Sequence, residues 1–197
     1  AVTSVTGSVS ELSALYAAND ITGLGNEVIS FSSALSVSEA NSINTLTTGV
    51  VTATISDGDM ATLASLTETD NAYTITVTDT NVSAAALTTL AGKTAVDVNA
   101  SAVTSVTGSV SELSALYAAG DITGLGNEAI TLTESVSVSN ANTISALTTG
   151  SITATLTTGS VASFSALAES GNVYKIIISD TNDVSASELT ALVAVSY

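Results

Sequence analysis

The 197-residue chain contains no cysteine, no histidine, no proline and no tryptophan. Without cysteine there is no disulfide framework, no thiolate metal site and no thiol nucleophile. Without histidine, and with only two lysines, most pairings of a nucleophile with its base are missing, so the many Ser and Thr hydroxyls have no activator. Carboxylate pairs of the glycosidase kind are the remaining catalytic option. The acids recur at turns, with no Trp-lined cleft beside them, so the chain reads as non-catalytic. Basic residues are scarce: Lys93 and Lys175 stand against 18 acids, for a net charge of −16. Such a polyanion does not bind nucleic acid or an acidic lipid surface through its own field, although it attracts cations and stays soluble. No apolar run reaches 18 residues, so no membrane span is expected.

What is present is apolar and repetitive. Hydrophobic residues make up 45% and aromatics only 4%; Thr, Ser, Gly, Asn and Asp fill much of the rest. This is too apolar for disorder, and the length suffices for one or two domains with a sizeable core. The lack of cysteine and of bases suits an oxidising or saline exterior. A chain that opens at Ala1 and stops at Tyr197 reads as a piece of something longer.

VTSVTGSVSELSALYAANDITGLGNE, Val2–Glu27, returns at Val103–Glu128 with one change, Asn19 to Gly120. SEANSINTLTTGVVTATISDG from Ser38 pairs with SNANTISALTTGSITATLTTG from Ser139, and NAYTITVTDTN from Asn71 with NVYKIIISDTN from Asn172. Asp183 is inserted before Val184, after which Leu87 and Leu90 match Leu189 and Leu192. The chain thus divides into a first block, 1–101, and a truncated second block, 102–197, expected to form one continuous solenoid.

A period of about 22 residues lies inside the blocks. VISFS at Val28, VVTATIS at Val50, YTITVTD at Tyr73 and AVDVN at Ala95 alternate in period two and are rich in β-branched residues, as short strands are. Val51, Ala53 and Ile55 face one way and Thr52 and Thr54 the other; Tyr73, Ile75 and Val77 oppose Thr74, Thr76 and Thr78. Between the strands the spacing becomes three or four: Val37, Ala40, Ile43, Leu46; then Met60, Leu63, Leu66; then Val82, Leu87, Leu90. These are the stripes of helices of two to three turns. Ser8 with Glu11, Ser36 with Glu39 and Ser109 with Glu112 read as capping boxes, and Asp59 and Asn81 as N-caps. Gly49, Gly92 and Gly150 read as helix stops. The opening stretch supplies a helix stripe (Val9, Leu12, Leu15, beside Tyr16) and then a loop, ITGLGNE. It is expected to be the irregular coil of each block. VAVSY at the C-terminus reads as the start of a further rung.

The expected fold is α/β: a solenoid of parallel strands and short helices with a leucine-rich-repeat-like layout, but without that family's Asn ladder. The alternative is a parallel β-helix. In a stack the turn acids of successive rungs lie roughly 5 Å apart. Asp57, Asp59 and Asp79 are therefore candidate calcium ligands, with Asp180 and Asp183 as a second group and Glu68 and Asp70 as a third. The competing reading is a solvated turn in which Asp caps a helix, and neither EF-hand spacing nor a nonapeptide array is present. Outward Thr52, Thr54, Thr74, Thr76, Thr153 and Thr155 form ladders that suit ordered water or carbohydrate; plain β-propensity accounts for them as well. Asn81-Val-Ser and Asn99-Ala-Ser match the glycosylation pattern. Tyr73 and Tyr174 are expected to point into the core.

ANSINTLTTGVVTATIS (Ala40–Ser56) and VTSVTGSVSELSALYAA (Val2–Ala18) resemble repeats of very large secreted or surface proteins of bacteria, notably cyanobacteria. The resemblance covers nearly all of both blocks. It implies an extracellular or cell-surface setting and a role in adhesion or surface coverage. The calcium-binding nonapeptides found elsewhere in such proteins are missing here. The expected function is a structural, adhesive spacer segment; the alternative is a calcium-, glycan- or ice-binding module. Expected partners are neighbouring repeats of a longer chain, a second copy meeting exposed ends or edges, and carbohydrate or a cell surface. Calcium is the one cofactor to be considered.

Overall fold

The computed structural model describes residues 2–18, 20–168 and 170–195, and for Val195 the backbone only. Short parallel strands alternate with short helices, and the chain forms two compact units. One comprises Ala1–Asp79, Ala86–Ala102 and Gly120–Gly124, the other Thr80–Ala85, Val103–Ala119 and Leu125–Tyr197. The chain passes between the units more than once, so their limits differ from those of the sequence blocks.

In the first unit β1 (Ser4–Thr6), β2 (Val28–Ser30), β3 (Val51–Thr54) and β4 (Ala72–Thr74) form a sheet in chain order, every pair parallel. Helices α1 (Val9–Ala18), α2 (Val37–Asn44) and α3 (Met60–Leu63) return the chain between them. A two-stranded parallel sheet, β6 (Val98–Asn99) with β8 (Ile122–Thr123), belongs to the same unit, and an isolated bridge links Thr76 to Asn99. In the second unit β5 (Asn81–Ser83), β7 (Ser105–Gly108), β9 (Ala129–Val136), β10 (Ile152–Leu156) and β11 (Val173–Lys175) form a five-stranded parallel sheet. Helix α4 (Ala84–Ala91) follows β5, and α5 (Val110–Ala119), α6 (Val138–Ser145), α7 (Val161–Phe164) and α8 (Ala186–Val195) complete the chain. Within each unit this is a solenoid-like repetition of α/β rungs.

Period-two alternation places the side chains as expected. Val51, Ala53 and Ile55, and Tyr73, Ile75 and Val77, are buried, while Thr52, Thr54, Thr74, Thr76 and Thr78 are exposed. In the second unit Val82, Val106, Ile130 and Ile152 are register partners in succession and all are buried. Each such burial is worth roughly 1.5–3 kcal/mol, and the row exists only when rungs stack. Tyr73 and Tyr174 are core residues. Leu12, Ile43, Leu63, Leu87 and Leu113 supply the helix side of the core.

Several expectations change. The opening stretch is a regular rung: SVT is strand β1, and its repeat is β7. Val82 lies in β5 and not on a helix stripe, and Asn81 opens that strand, paired with Ser105, in place of capping a helix. Outward Asn81 and Ser83 around inward Val82 are a strand pattern, and β7 provides the partner. Helices α3 and α7 are single turns of four residues. ITGLGNE is a loop in the first copy, whereas in the second Ile122–Thr123 pairs with β6; identical residues become strand where a partner strand is available. Gly49 lies beyond the α2 C-cap, Thr45, and has another task. A Cβ there would lie 2.3 Å from the Glu27 carbonyl oxygen, and one on Gly150 would lie 2.2 Å from that of Glu128. Gly120 follows α5 with φ 75°, a left-handed conformation that ends a helix; Asn19 lies outside the described residues. Val193–Val195 close helix α8 and do not begin a strand, and Ser196 and Tyr197 lie outside the described residues.

Candidate functional site: acids at the rung junctions

The first N–H groups of a helix have no partner within it. Here two tiers of side chains meet them. The local tier is legible in sequence: Ser36 Oγ accepts from the Glu39 N–H while the Glu39 carboxylate accepts from the Ser36 N–H at 2.8 Å. Ser8 with Glu11 and Ser109 with Glu112 repeat the box. Ser185 with Glu188 adds one that the sequence reading missed. In each of these glutamates the Ser N–H and hydroxyl hold the carboxyl below its ordinary range. Asp59 caps α3 by accepting from the Thr62 N–H at 2.9 Å, which lowers its pKa too.

The second tier comes from the following rung. Asp57 Oδ2 accepts from the Val37 N–H, the first residue of α2, at 2.7 Å. Asp79 Oδ2 accepts from the Met60 N–H at 2.6 Å, and Asp180 Oδ2 from the Val161 N–H at 2.7 Å. Glu134 serves Val110 of α5 at 3.0 Å. A carboxylate at a helix N-terminus is favoured by both the hydrogen bond and the macrodipole. Asp57, Asp79 and Asp180 thus each engage the helix of the rung before, while Asp183, Glu68 and Asp70 are exposed. Among the described residues, no group of three or more Asp or Glu side chains is placed to hold a metal ion.

Asparagines join the rungs as well. Asn71 Oδ1 accepts from the Val51 N–H at 2.6 Å, and its Nδ2 donates to Asn44 Oδ1 at 2.9 Å, where Tyr73 Oη also donates. Asn172 repeats this with the Ile152 N–H at 2.7 Å and Ser145 Oγ at 3.2 Å. Asn41 Nδ2 donates to the Ser65 carbonyl and its Oδ1 accepts from the Thr67 N–H; Asn142 does the same with Ala166 and Ala168.

The repeated GLGNE loop holds a buried acid that the sequence reading passed over. Glu27 and Glu128 are almost fully buried. The Gly25 N–H donates to both Glu27 oxygens at 2.8 and 2.6 Å. Glu128 accepts from the N–H groups of Gly126 at 2.7 Å and Asn127 at 3.0 Å, and from the Tyr117 hydroxyl. Burial alone would push the Glu27 carboxyl up, but the surrounding N–H donors and Tyr16 outweigh it and its pKa is lowered. Burial, reinforced by Glu27, pushes the Tyr16 hydroxyl up to about 12. The Glu27 carbonyl accepts from Thr47 Oγ1 at 2.7 Å, and that of Glu128 from Thr148 Oγ1 at 2.7 Å. The TTG of one rung thereby seats on the GNE of the rung before. The available signal was a charged residue repeated unchanged in a loop otherwise made of Ile, Thr, Gly, Leu and Asn.

Hydroxyls occupy the outer face. Ser83, Thr107, Thr131 and Thr153 are successive register partners, and Thr6, Ser30 and Thr52 form a shorter row. Thr54 pairs with Thr74, while Thr76 meets Asn99 and Thr155 meets Lys175. Asn81 and Asn99 of the two glycosylation patterns are exposed on strands. No described helix is long and apolar enough to cross a membrane. No protein-family model matches the chain, and no curated protein matches it.

Proposed function

We propose that this chain is a non-catalytic structural segment of a large extracellular or cell-surface protein, of the kind its repeats resemble. It acts as an extended spacer with a lateral interaction surface. The observation that carries the reading is the use made of polar side chains: Asp57, Asp79, Asp180, Asn71 and Asn172 each complete the backbone of a neighbouring rung. Polar groups spent on stacking serve extension. The helix in nearly every turn of the chain favours a leucine-rich-repeat-like layout over a parallel β-helix. The test is small-angle scattering on chains lengthened by one and two further 101-residue periods. The spacer reading expects the maximum dimension to grow by an equal increment per block; growth only as the cube root of mass would sink it.

A second reading, a glycan- or ice-binding face, is favoured by the row Ser83, Thr107, Thr131 and Thr153. Inhibition of ice recrystallisation, or glycan-array binding that is lost on replacing Thr131 and Thr153 with bulky Lys, is the outcome it requires. For the calcium variant, an upward melting shift with calcium that is reversed by chelator is the required result.

A further inference from the structure

In the first unit the turn that leads into β3 and the turn that leads into β4 border a cavity of about 230 Å³. Asn44, the last residue of α2, lines it together with Thr47, Gly49, Asn71, Glu68 and Asp70. Two of these polar side chains are core residues: Thr47 is 7% exposed and Asn71 5%. Both are held in place. Thr47 Oγ1 donates to the Glu27 carbonyl and accepts from the Gly49 N–H, and Asn71 Oδ1 accepts from the Val51 N–H. The wall is therefore preformed, as binding sites usually are.

Asn44 supplies an unanswered donor. Its Oδ1 accepts from Asn71 Nδ2 and from the Tyr73 hydroxyl, both at 2.9 Å. That fixes the sense of the amide, because Asn71 Nδ2 can only donate. Asn44 Nδ2 is then buried with no hydrogen-bond partner among the described residues. A buried donor without an acceptor is costly, and a ligand oxygen beside it removes the cost. Glu68 and Asp70 are exposed and offer acceptors only. Burial raises the Tyr73 pKa, the bond to Asn44 opposes the rise, and Glu68 adds to it, which sets the Glu68 carboxylate close to the Asn44–Tyr73 pair.

A ligand for this cavity presents an acceptor to Asn44 and donors to the two carboxylates. A metal ion suits the carboxylates and is repelled by the amide N–H; an anion does the reverse. Hydroxyl groups on a neutral ring do both. We propose that the cavity binds a neutral saccharide, with adjacent hydroxyls donating to Glu68 and Asp70 and one ring oxygen or hydroxyl accepting from Asn44. The volume of about 230 Å³ falls below the roughly 300–1,000 Å³ of drug-sized sites, so it admits a single ring. The site shares no residue with the hydroxyl row of the second unit and is independent of the spacer reading. It belongs to the first block alone, since Ser145 and Gly171 stand where Asn44 and Asp70 stand one period earlier.

The test follows amide chemical shifts of the isotopically labelled 197-residue chain during titration with glucose, galactose, mannose and N-acetylglucosamine, and separately with sodium glucuronate and calcium chloride. At least one neutral sugar should give saturable shifts at Asn44, Thr48, Gly49 and Asp70, the Asn44 side-chain amide included, while Thr149 and Gly150 of the second block stay in place. Glucuronate should bind more weakly than glucose. Asn44→Ser should abolish the shifts without unfolding the rung, since Ser145 Oγ keeps the corresponding bond from Asn172 Nδ2 at 3.2 Å. Asp70→Asn, at an exposed position, should weaken binding about tenfold by removing a charged acceptor. No shift with any of the sugars, equal shifts in the second block, shifts that survive either variant unchanged, glucuronate binding as tightly as glucose, or shifts with calcium chloride alone would each overturn the proposal.

Discussion

Glu27 sits where a charge is costly, and its loop explains how it is kept. Burial raises the cost of the carboxylate, and the N–H groups of Gly25, Asn26 and Glu27 more than offset it. Its folded pKa lies below the unfolded value, so its contribution is present above the ordinary carboxylate range and is lost as pH falls through the folded pKa. Urea midpoints measured down an acid series should decline in that window, and Glu27→Gln should flatten the decline while lowering stability at neutral pH by about 1–3 kcal/mol. Tyr16 acts in the opposite range. With an ordinary value of 10.0 and a folded value of about 12, it stays protonated in the fold while the unfolded chain ionises. Its contribution is complete below pH 10.0 and is lost toward 12, which tyrosinate absorbance alongside unfolding will follow, with Tyr16→Phe removing the effect. Gly49 and Gly150 make the plainest steric case. Alanine at either meets a backbone carbonyl at 2.3 or 2.2 Å, so Gly49→Ala should cost on the order of 1–3 kcal/mol by thermal melt, and Gly92→Ala, whose nearest neighbour is 3.5 Å away, much less.

Helices α2, α3, α5 and α7 are each a joint product of two rungs. Asp57→Asn and Asp79→Asn each replace a charged acceptor at a helix N-terminus in the preceding rung. Each should cost about 1 kcal/mol and speed amide exchange at Val37 or Met60, while exposed Asp183→Asn leaves both unchanged. This is also where legibility in the sequence stops. Strand faces were readable from VVTATIS and YTITVTD because alternation is local, and Ser36 with Glu39 was readable because a capping box spans three residues. The partner of Asp57 lies 20 residues away, and no local pattern records it. Asn81 resembles a cap in sequence because three strand residues leading straight into a helix are too few to show a period. Gly49 resembled a helix stop because sequence shows that a glycine is present, not whether φ or crowding demands it. Glu27 was passed over because in sequence its loop looks solvated, whereas the following rung buries it.

At the scale of the whole molecule the rungs are graded. Register partners are 24 residues apart at Ser4 and Val28, 22 at Ile29 and Val51, and 20 at Thr52 and Ala72; the second block repeats the series at Ser105, Ile130 and Thr153. The grading is therefore written into the block and duplicated with it. Net charge acts on the whole as well. With −16 spread over 197 residues, self-repulsion opposes the compact state, and added sodium chloride should raise the melting temperature until the charge is screened. A fall with salt would mean that the capping carboxylates dominate. The direction of those caps has a consequence for biosynthesis. Asp57, Asp79 and Asp180 all lie later in the chain than the helix starts they serve. As the polypeptide leaves the ribosome, a helix emerges about 20 residues before the acid that completes it. For these three helices completion therefore trails translation by one turn of the coil, and each waits, incompletely bonded, for its successor.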